Sequence, residues 1–311
     1  RKRGGEACFM PVAQAVAPPE DRQELRRAIR KCDHLGSTRD GMEIYCYQYS
    51  GDCTVMREIG RLREVSFRAV GEGTGRRRDV DAFDAYYDHI VLWDENQLEL
   101  VGAYRLKRVT DLADGQTLYS ESLFEYQIPY AEEYFECGAE LGRSFVQPRY
   151  WGRNGLDYLW QGLGTYLRRY PEVRYLFGPV SLSDSLPRGA KDLLIQFYQR
   201  HFPATQPWAN ANSPYKSELT ETVFSGDDYR TEFAQLKDQL AAMGCAVPTL
   251  YKQYTELCDE DGVSFTAFNV DPDFADCIDG LVLVDLQKMK PARRKRYLGE
   301  DFAEARADKV A

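Results

Sequence analysis

Two apolar runs, His89–Trp93 and Leu98–Val109, meet at the polar tetrapeptide Asp94-Glu95-Asn96-Gln97. Runs rich in β-branched and aromatic residues on either side of such a turn predict an antiparallel strand pair. Such a pair needs cover on its faces, and the following residues supply it. Tyr134–Val146 reads as a strand with its flanks and Val173–Leu182 as a buried strand. Between them, Leu156–Arg169 carries an apolar stripe at helical spacing, and Ala190–His201 reads as a helix stopped by Pro203. Val263–Val270 and Gly280–Leu286 are late strands. An antiparallel pair followed by this alternation predicts an α/β fold, a mixed sheet flanked by helices.

Upstream, Met42–Tyr49 reads as a strand and Val55–Phe67 as an amphipathic helix, ended by the loop Gly71-Glu72-Gly73-Thr74-Gly75. Residues 1–35 open on Arg1 rather than Met and hold Pro18-Pro19 and a charged helical run from Asp21 to Lys31. They read as a leader, or a linker from a domain upstream. One domain is expected over 36–290, with the polar stretch 217–242 as an insertion and 291–311 as a basic, then acidic tail.

The net charge of −9 argues against nucleic-acid binding, which draws on a basic face. Arginines nevertheless cluster at 61–78 and 143–174, and Lys288–Arg296 is basic, a distribution suited to an acidic partner or a phosphorylated carrier. Lys288–Arg296 could also meet anionic headgroups at the inner face of a membrane, although a solvated tail has the same composition. The eight cysteines form no CxxC pair, which favours a reduced, cytoplasmic setting. Three histidines without HxH or HExxH spacing offer no transition-metal site. There is no G-x-S-x-G elbow. His89 and Asp94 have HxxxxD spacing, but residues five apart on a regular strand face opposite sides.

The ordered set Arg63…Arg68…Asp81-Ala82-Phe83-Asp84, Gly102-Ala103-Tyr104-Arg105-Leu106 and Glu140-Leu141-Gly142-Arg143-Ser144 resembles the acyl-transferring branch of the GNAT superfamily. That branch includes the acyl-homoserine-lactone synthases and the hemolysin-like, ornithine-lipid-type N-acyltransferases. The likeness extends through Phe177-Gly178-Pro179-Val180-Ser181 and Val247-Pro248-Thr249-Leu250-Tyr251-Lys252-Gln253-Tyr254, so it covers roughly residues 40–290.

This resemblance implies an acetyltransferase-like sheet with a C-terminal extension. It also implies a bacterial N-acyltransferase of aminolipid synthesis, moving a long, 3-hydroxylated acyl group from acyl-carrier protein to an amino acid amine, with ornithine the family-based guess. No tightly bound cofactor is implied beyond the carrier's acyl-4′-phosphopantetheine, with acyl-CoA as the other donor. By the same resemblance Arg63, Asp81, Asp84, Arg105 and Arg143 surround the acceptor. An arginine suits the acceptor carboxylate, and Asp81, Asp84 or Glu72 could receive a second amine. Glu140 is the candidate base, because a partly desolvated carboxylate gains basicity. Glu140 and Arg143 lie three apart, so on a regular strand they face opposite sides unless a bulge realigns them. Tyr198 would protonate the leaving thiolate. In place of the usual Q/R-x-x-G-x-G/A loop stands Gln147–Gly155, where Arg149, Gly152, Arg153 and Gly155 would meet the donor's phosphodiester at a helix start.

Two other readings stay open. One is a lactone synthase using S-adenosylmethionine, against which the segment 217–311 and the 71–75 loop count. The other is a non-catalytic lipid- or carrier-binding module, favoured if Glu140 is buried in an ion pair with no open cleft beside it.

Overall fold

The computed structural model describes residues 12–226 and 228–299. Its elements in chain order are α1 (Arg22–Ile29), β1 (Asp33–Ser37), β2 (Glu43–Gln48), α2 (Thr54–Arg68), β3 (Asp88–Asp94), β4 (Glu99–Arg108), β5 (Phe124–Tyr126), α3 (Glu132–Glu136), β6 (Gly138–Val146) and α4 (Gly155–Arg169). Then come β7 (Tyr175–Leu182), α5 (Arg188–His201), β8 (Ala209–Ala211), α6 (Tyr229–Ala242), α7 (Thr249–Thr255), β9 (Val263–Asp271), β10 (Cys277–Asp285) and α8 (Pro291–Leu298).

Eight strands form one sheet in the order β1-β2-β3-β4-β6-β7-β10-β9, and β5 pairs with β8 in a small second sheet. Neighbours in the large sheet are antiparallel except β6 and β7. This is the mixed sheet flanked by helices that the alternation predicts. The parallel pairing is short. It runs from Gly138↔Tyr175 to Glu140↔Phe177 and then stops, so the two strands part in a V. Gly178 sits at the opening: a Cβ there would lie 2.1 Å from the Leu141 carbonyl oxygen, so only glycine permits the approach.

Alternation along the strands sends side chains to two faces. On one face Ile44, Ile90, Leu92, Val180, Leu182 and Ile278 join α4 and α5 in the main core. The other face carries two separate apolar clusters. Tyr45, Val91, Trp93 and Phe145 pack under α1 and α2, whereas Tyr175, Phe177, Leu281 and Leu283 pack under the β5–β8 sheet. The chain fills the seam between these clusters with charge.

Several boundaries differ from expectation. Residues 20–37 do not form a detached leader: Leu25 and Ile29 of α1 are buried against α2, and β1 adds an edge strand to β2. Residues 1–11 lie outside the described residues. Tyr134–Glu136 is helical, because the strand begins only at Gly138. In the stretch 217–242, α6 buries Leu236 and Leu240 in the main core. The basic run, expected as a tail, is through Leu298 a helix that docks Tyr297 and Leu298 on α4, since its two apolar residues find a core to enter. The rest of the tail lies outside the described residues after Gly299. Among the described residues no helix is long and apolar enough to cross a membrane.

Candidate active site

Asp81 and Asp84 are placed by local chemistry. Asp81 accepts the N–H groups of Phe83 and Asp84 at the start of the 3-10 turn Ala82–Ala85, and Asp84 accepts the Asp81 N–H in return. This capping box aims Asp84 inward. There, Nη1 of the fully buried Arg63 donates to both Asp84 oxygens at 2.9 and 3.0 Å. Arg105 on β4, also fully buried, reaches both aspartates, at 2.7 and 3.0 Å to Asp81 and 2.9 Å to Asp84. Burial alone would raise the Asp84 pKa, but the guanidinium groups of Arg63 and Arg105 hold it far below the usual carboxylate range. Asp81 is lowered too, with Arg105 overcoming its burial.

Arg143 completes the network. Its φ is +48°, and the β4–β6 register slips between Ala103↔Phe145 and Arg105↔Gly142, so β6 carries an extra residue here. The bulge turns Arg143 to the same face as Glu140. Its Nε lies 3.3 Å from Asp79, its Nη2 3.8 Å from Asp81, and the rings of Tyr119 and Phe274 sit 4.9 and 4.5 Å from the guanidinium carbon. Asp79, buried beside Gly60 and Arg63, opens the Asp79–Asp84 motif that carries the resemblance but was given no site role from the sequence.

Glu140 stands next to this network and is sealed. It is 1% exposed, and its oxygens accept from Tyr87 Oη at 2.5 Å, the Ser120 N–H at 3.0 Å and the Ser120 hydroxyl. Burial raises its pKa against those bonds. Its partners are neutral donors rather than a cation, so the ion pair that would favour a non-catalytic module is not there. Equally, both of its oxygens are taken by strong donors, so it ties the Tyr119–Ser122 turn to β6.

Tyr198 is not brought to this site. It lies on the other face of the sheet, packed on Tyr251 and Phe265 with centroids 4.9 and 5.3 Å away, and its hydroxyl is buried without a hydrogen-bond partner among the described residues. The helical spacing of α5 fits a core face as well as a catalytic one. The His89–Asp94 pair is not formed. His89 bonds the Asp84 carbonyl at 3.1 Å and faces Arg63, and burial then Arg63 push its pKa down to about 4. Asp94 instead accepts the Asn96 and Gln97 amides and the Tyr150 hydroxyl.

At the donor loop, Arg149 is held by Glu99 at 2.6 Å, while Arg153 lies over the Tyr150 ring. Gly152 makes the turn with φ +75°, and Gly155 opens α4, whose N-cap Asn154 gives no side-chain cap. The free N–H groups at that end can take an anion.

A further group on the same face joins Glu72, read in the sequence as a seat for a second amine, to three residues that went unread. Glu72 comes from the glycine loop, Asp271 from the end of β9, and Cys277 and Asp279 from β10. Ligand-type atoms of Asp271, Cys277 and Asp279 lie within 4.8 Å of one another. Burial, then repulsion from Asp279, raises Glu72 to about 8, and burial, then Asp271, raises Asp279 to about 7. Arg143 opposes both shifts. An aspartate inside the apolar run Cys277–Val284 was the available signal. Two surface hollows, one beside Glu20 and Gln147 and one beside Arg174 and His201, share no residue with this cluster.

A mixed sheet whose one parallel pair opens into a V, with charge gathered beside the opening, defines an acetyltransferase-like fold. Residues 62–161 match the acetyltransferase (GNAT) domain, so the chain carries that domain from α2 into α4. It is 28% identical to a glycine N(alpha)-acyltransferase of Bacteroides thetaiotaomicron over 95% of this chain and 92% of the relative. It is 29% identical to an L-ornithine N(alpha)-acyltransferase of Brucella abortus over 56% of this chain and 71% of the relative. Among solved structures, the AHL synthase LasI aligns over 85% of this chain and 96% of its own, with TM-score 0.40 and 11% identity.

Proposed function

We propose that this protein transfers a long, 3-hydroxylated acyl group from acyl-carrier protein to the α-amine of an amino acid. The observation that carries this reading is the position of Arg143, a largely buried cation beside the opening between β6 and β7. A thioester lying in the V would place its carbonyl against strand edge that has lost its partner, where a backbone N–H can hold the tetrahedral oxyanion. An amino acid seated by its carboxylate on Arg143 would then present its amine to that carbonyl. Arg63, Arg105 and the three aspartates fix Arg143 and the turn beside it, and Glu140 fixes Tyr87 and Ser120.

Glycine is the first acceptor to test. The relatives aligned over nearly the whole chain are named for it, and the rings of Tyr119 and Phe274 flank the seat with apolar walls. Ornithine is the second. An acidic carrier protein suits Arg153 and the uncapped α4 N-terminus, with acyl-CoA as the other donor. The α8 run offers a membrane less than its composition suggests, because Arg293 and Arg296 are paired with Glu256 and Asp157.

The test is acyl transfer by the purified full chain from 3-hydroxyacyl carrier protein or the matching acyl-CoA to a panel of amino acids, read by mass spectrometry. An N-acyl amino acid formed faster from the carrier protein supports the reading. No product with any donor and acceptor favours a binding module.

A further inference from the structure

Arg143 acts on two groups of carboxylates, and only one of them belongs to the ion-pair network. Asp79 and Asp81 pair with it from the turn before β3. Glu72, Asp271 and Asp279 feel its charge as well, without an ion pair to it among the described residues. The guanidinium is under-used. Its side chain is 11% exposed, and its buried Nε has no hydrogen-bond partner among the described residues.

Asp279 is the carboxylate best placed relative to the strand opening. It pairs in register with Ser181 of β7, a few residues past the last β6–β7 pair Glu140↔Phe177, as Arg143 is on β6. The two residues therefore flank the V from its two strands' sides. Ser181 Oγ donates to Asp279 Oδ1 at 2.9 Å, while among the described residues Oδ2 has only the weak thiol donor of Cys277 at 3.8 Å. Glu72, supplied by the loop after α2, makes no hydrogen bond through its carboxylate among those described and is partly accessible.

We propose that Asp279 is the proton acceptor for the incoming amine, while Arg143 holds the carboxylate of the same amino acid. This rests on the acyl-transfer reading above. A zwitterion placed between them meets a cation at one end and carboxylates at the other. Asp279 takes one proton from the ammonium, and the freed lone pair forms the C–N bond at the thioester carbonyl. The C–S bond then breaks with its electron pair, the thiolate takes the second amine proton to become a thiol, and Asp279 returns its proton to water. A carboxylate sheltered by burial and by its neighbour Asp271 sits near the operating pH, as a base should. The groups facing it are Glu72, Tyr119, Arg143, Tyr251, Asp271 and Cys277.

The experiment is kcat against pH for the full chain with saturating glycine and acyl-carrier donor, for wild type, Asp279→Asn and Asp271→Asn. Wild type should show a rising limb centred near 7. Asp279→Asn should lower kcat by about 100-fold or more and remove the limb. Asp271→Asn should move the limb to lower pH, because Asp271 is the neighbouring charge that raises the Asp279 pKa. An Asp279→Asn protein with wild-type kcat and an unchanged limb overturns the proposal. If Asp279→Asn does not fold, a limb that stays put in Asp271→Asn overturns it instead. Wild type that acylates no amino acid defeats the acyl-transfer reading itself, whereas active wild type with an indifferent Asp279→Asn defeats only the assignment of the base.

Discussion

Glu140 and Arg143 project from the same face of β6, although three residues separate them. One inserted residue, with Arg143 in the left-handed region, makes up the half-turn of pleat that regular alternation withholds. The bulge joins a sealed carboxylate, which orders the turn at Tyr119–Ser122, to an arginine whose side chain is 11% exposed. Their roles should therefore separate by experiment.

Arg143→Ala should raise KM for the amino acid by about 10- to 100-fold, the scale of a lost charged hydrogen bond, with a smaller effect on KM for the acyl donor. Initial rates over an acceptor titration check it, and a parallel rise in donor KM would count against a seat for the carboxylate.

Glu140→Gln puts an amide donor where Tyr87, the Ser120 N–H and the Ser120 hydroxyl all donate. The expected cost is about 1–3 kcal/mol of stability, read from the urea midpoint, with the shape of the pH–rate profile retained. A lost rising limb would instead mark Glu140 as the base.

Asp84→Asn leaves Arg63 and Arg105 buried with less compensation. Breaking such a pair costs about 3–5 kcal/mol. Because the folded pKa of Asp84 is depressed, its contribution is present at neutral pH and fades as pH falls below the ordinary carboxylate value. The gap between wild type and variant in urea melts should thus be largest at pH 7 and shrink towards acid.

Glu72 has the opposite sign. Its folded pKa is raised to about 8, so ionising it opposes folding as pH climbs from its unfolded value towards 8. Glu72→Gln should gain Tm relative to wild type progressively over that range. A constant difference across pH would mean that Glu72 ionises freely in the fold.

Asp271, Cys277 and Asp279 could be taken for a metal site, since their ligand atoms converge. The reaction proposed needs no Lewis acid, and the neighbouring Arg143 already supplies positive charge there. Treatment with EDTA followed by gel filtration should leave the acyl-transfer rate unchanged; a loss restored by a divalent cation would argue otherwise.

The sequence made the strand order around β3 and β4 readable because the His89–Val109 hairpin is both apolar and sharply turned. The long helices followed from their stripes. Arg63, Asp81, Asp84, Arg105 and Arg143 were named from family resemblance, and the fold brings all five together. The acids beyond Arg143 escaped notice for a physical reason. Asp271 and Asp279 lie on late strands far from Glu72 in the chain, and only sheet pairing places them beside it. Tyr198 misled because a tyrosine on a helix looks alike in a core and at a rim. The burial of α1 and α8 escaped because each short helix offers only two buried apolar residues.

The seam between the two apolar clusters sets Arg63, Arg105 and Arg143 against Asp79, Asp81 and Asp84, three charges of each sign that offset one another. Such a pocket exerts little pull at long range on a zwitterion, itself neutral, and the two recognise each other only when the poles are in register. Ionic strength should then barely touch capture of the amino acid, whereas an acidic carrier approaching Arg153 would feel every change in salt. The two substrates of one reaction would answer to different forces, one governed by fit and the other by field.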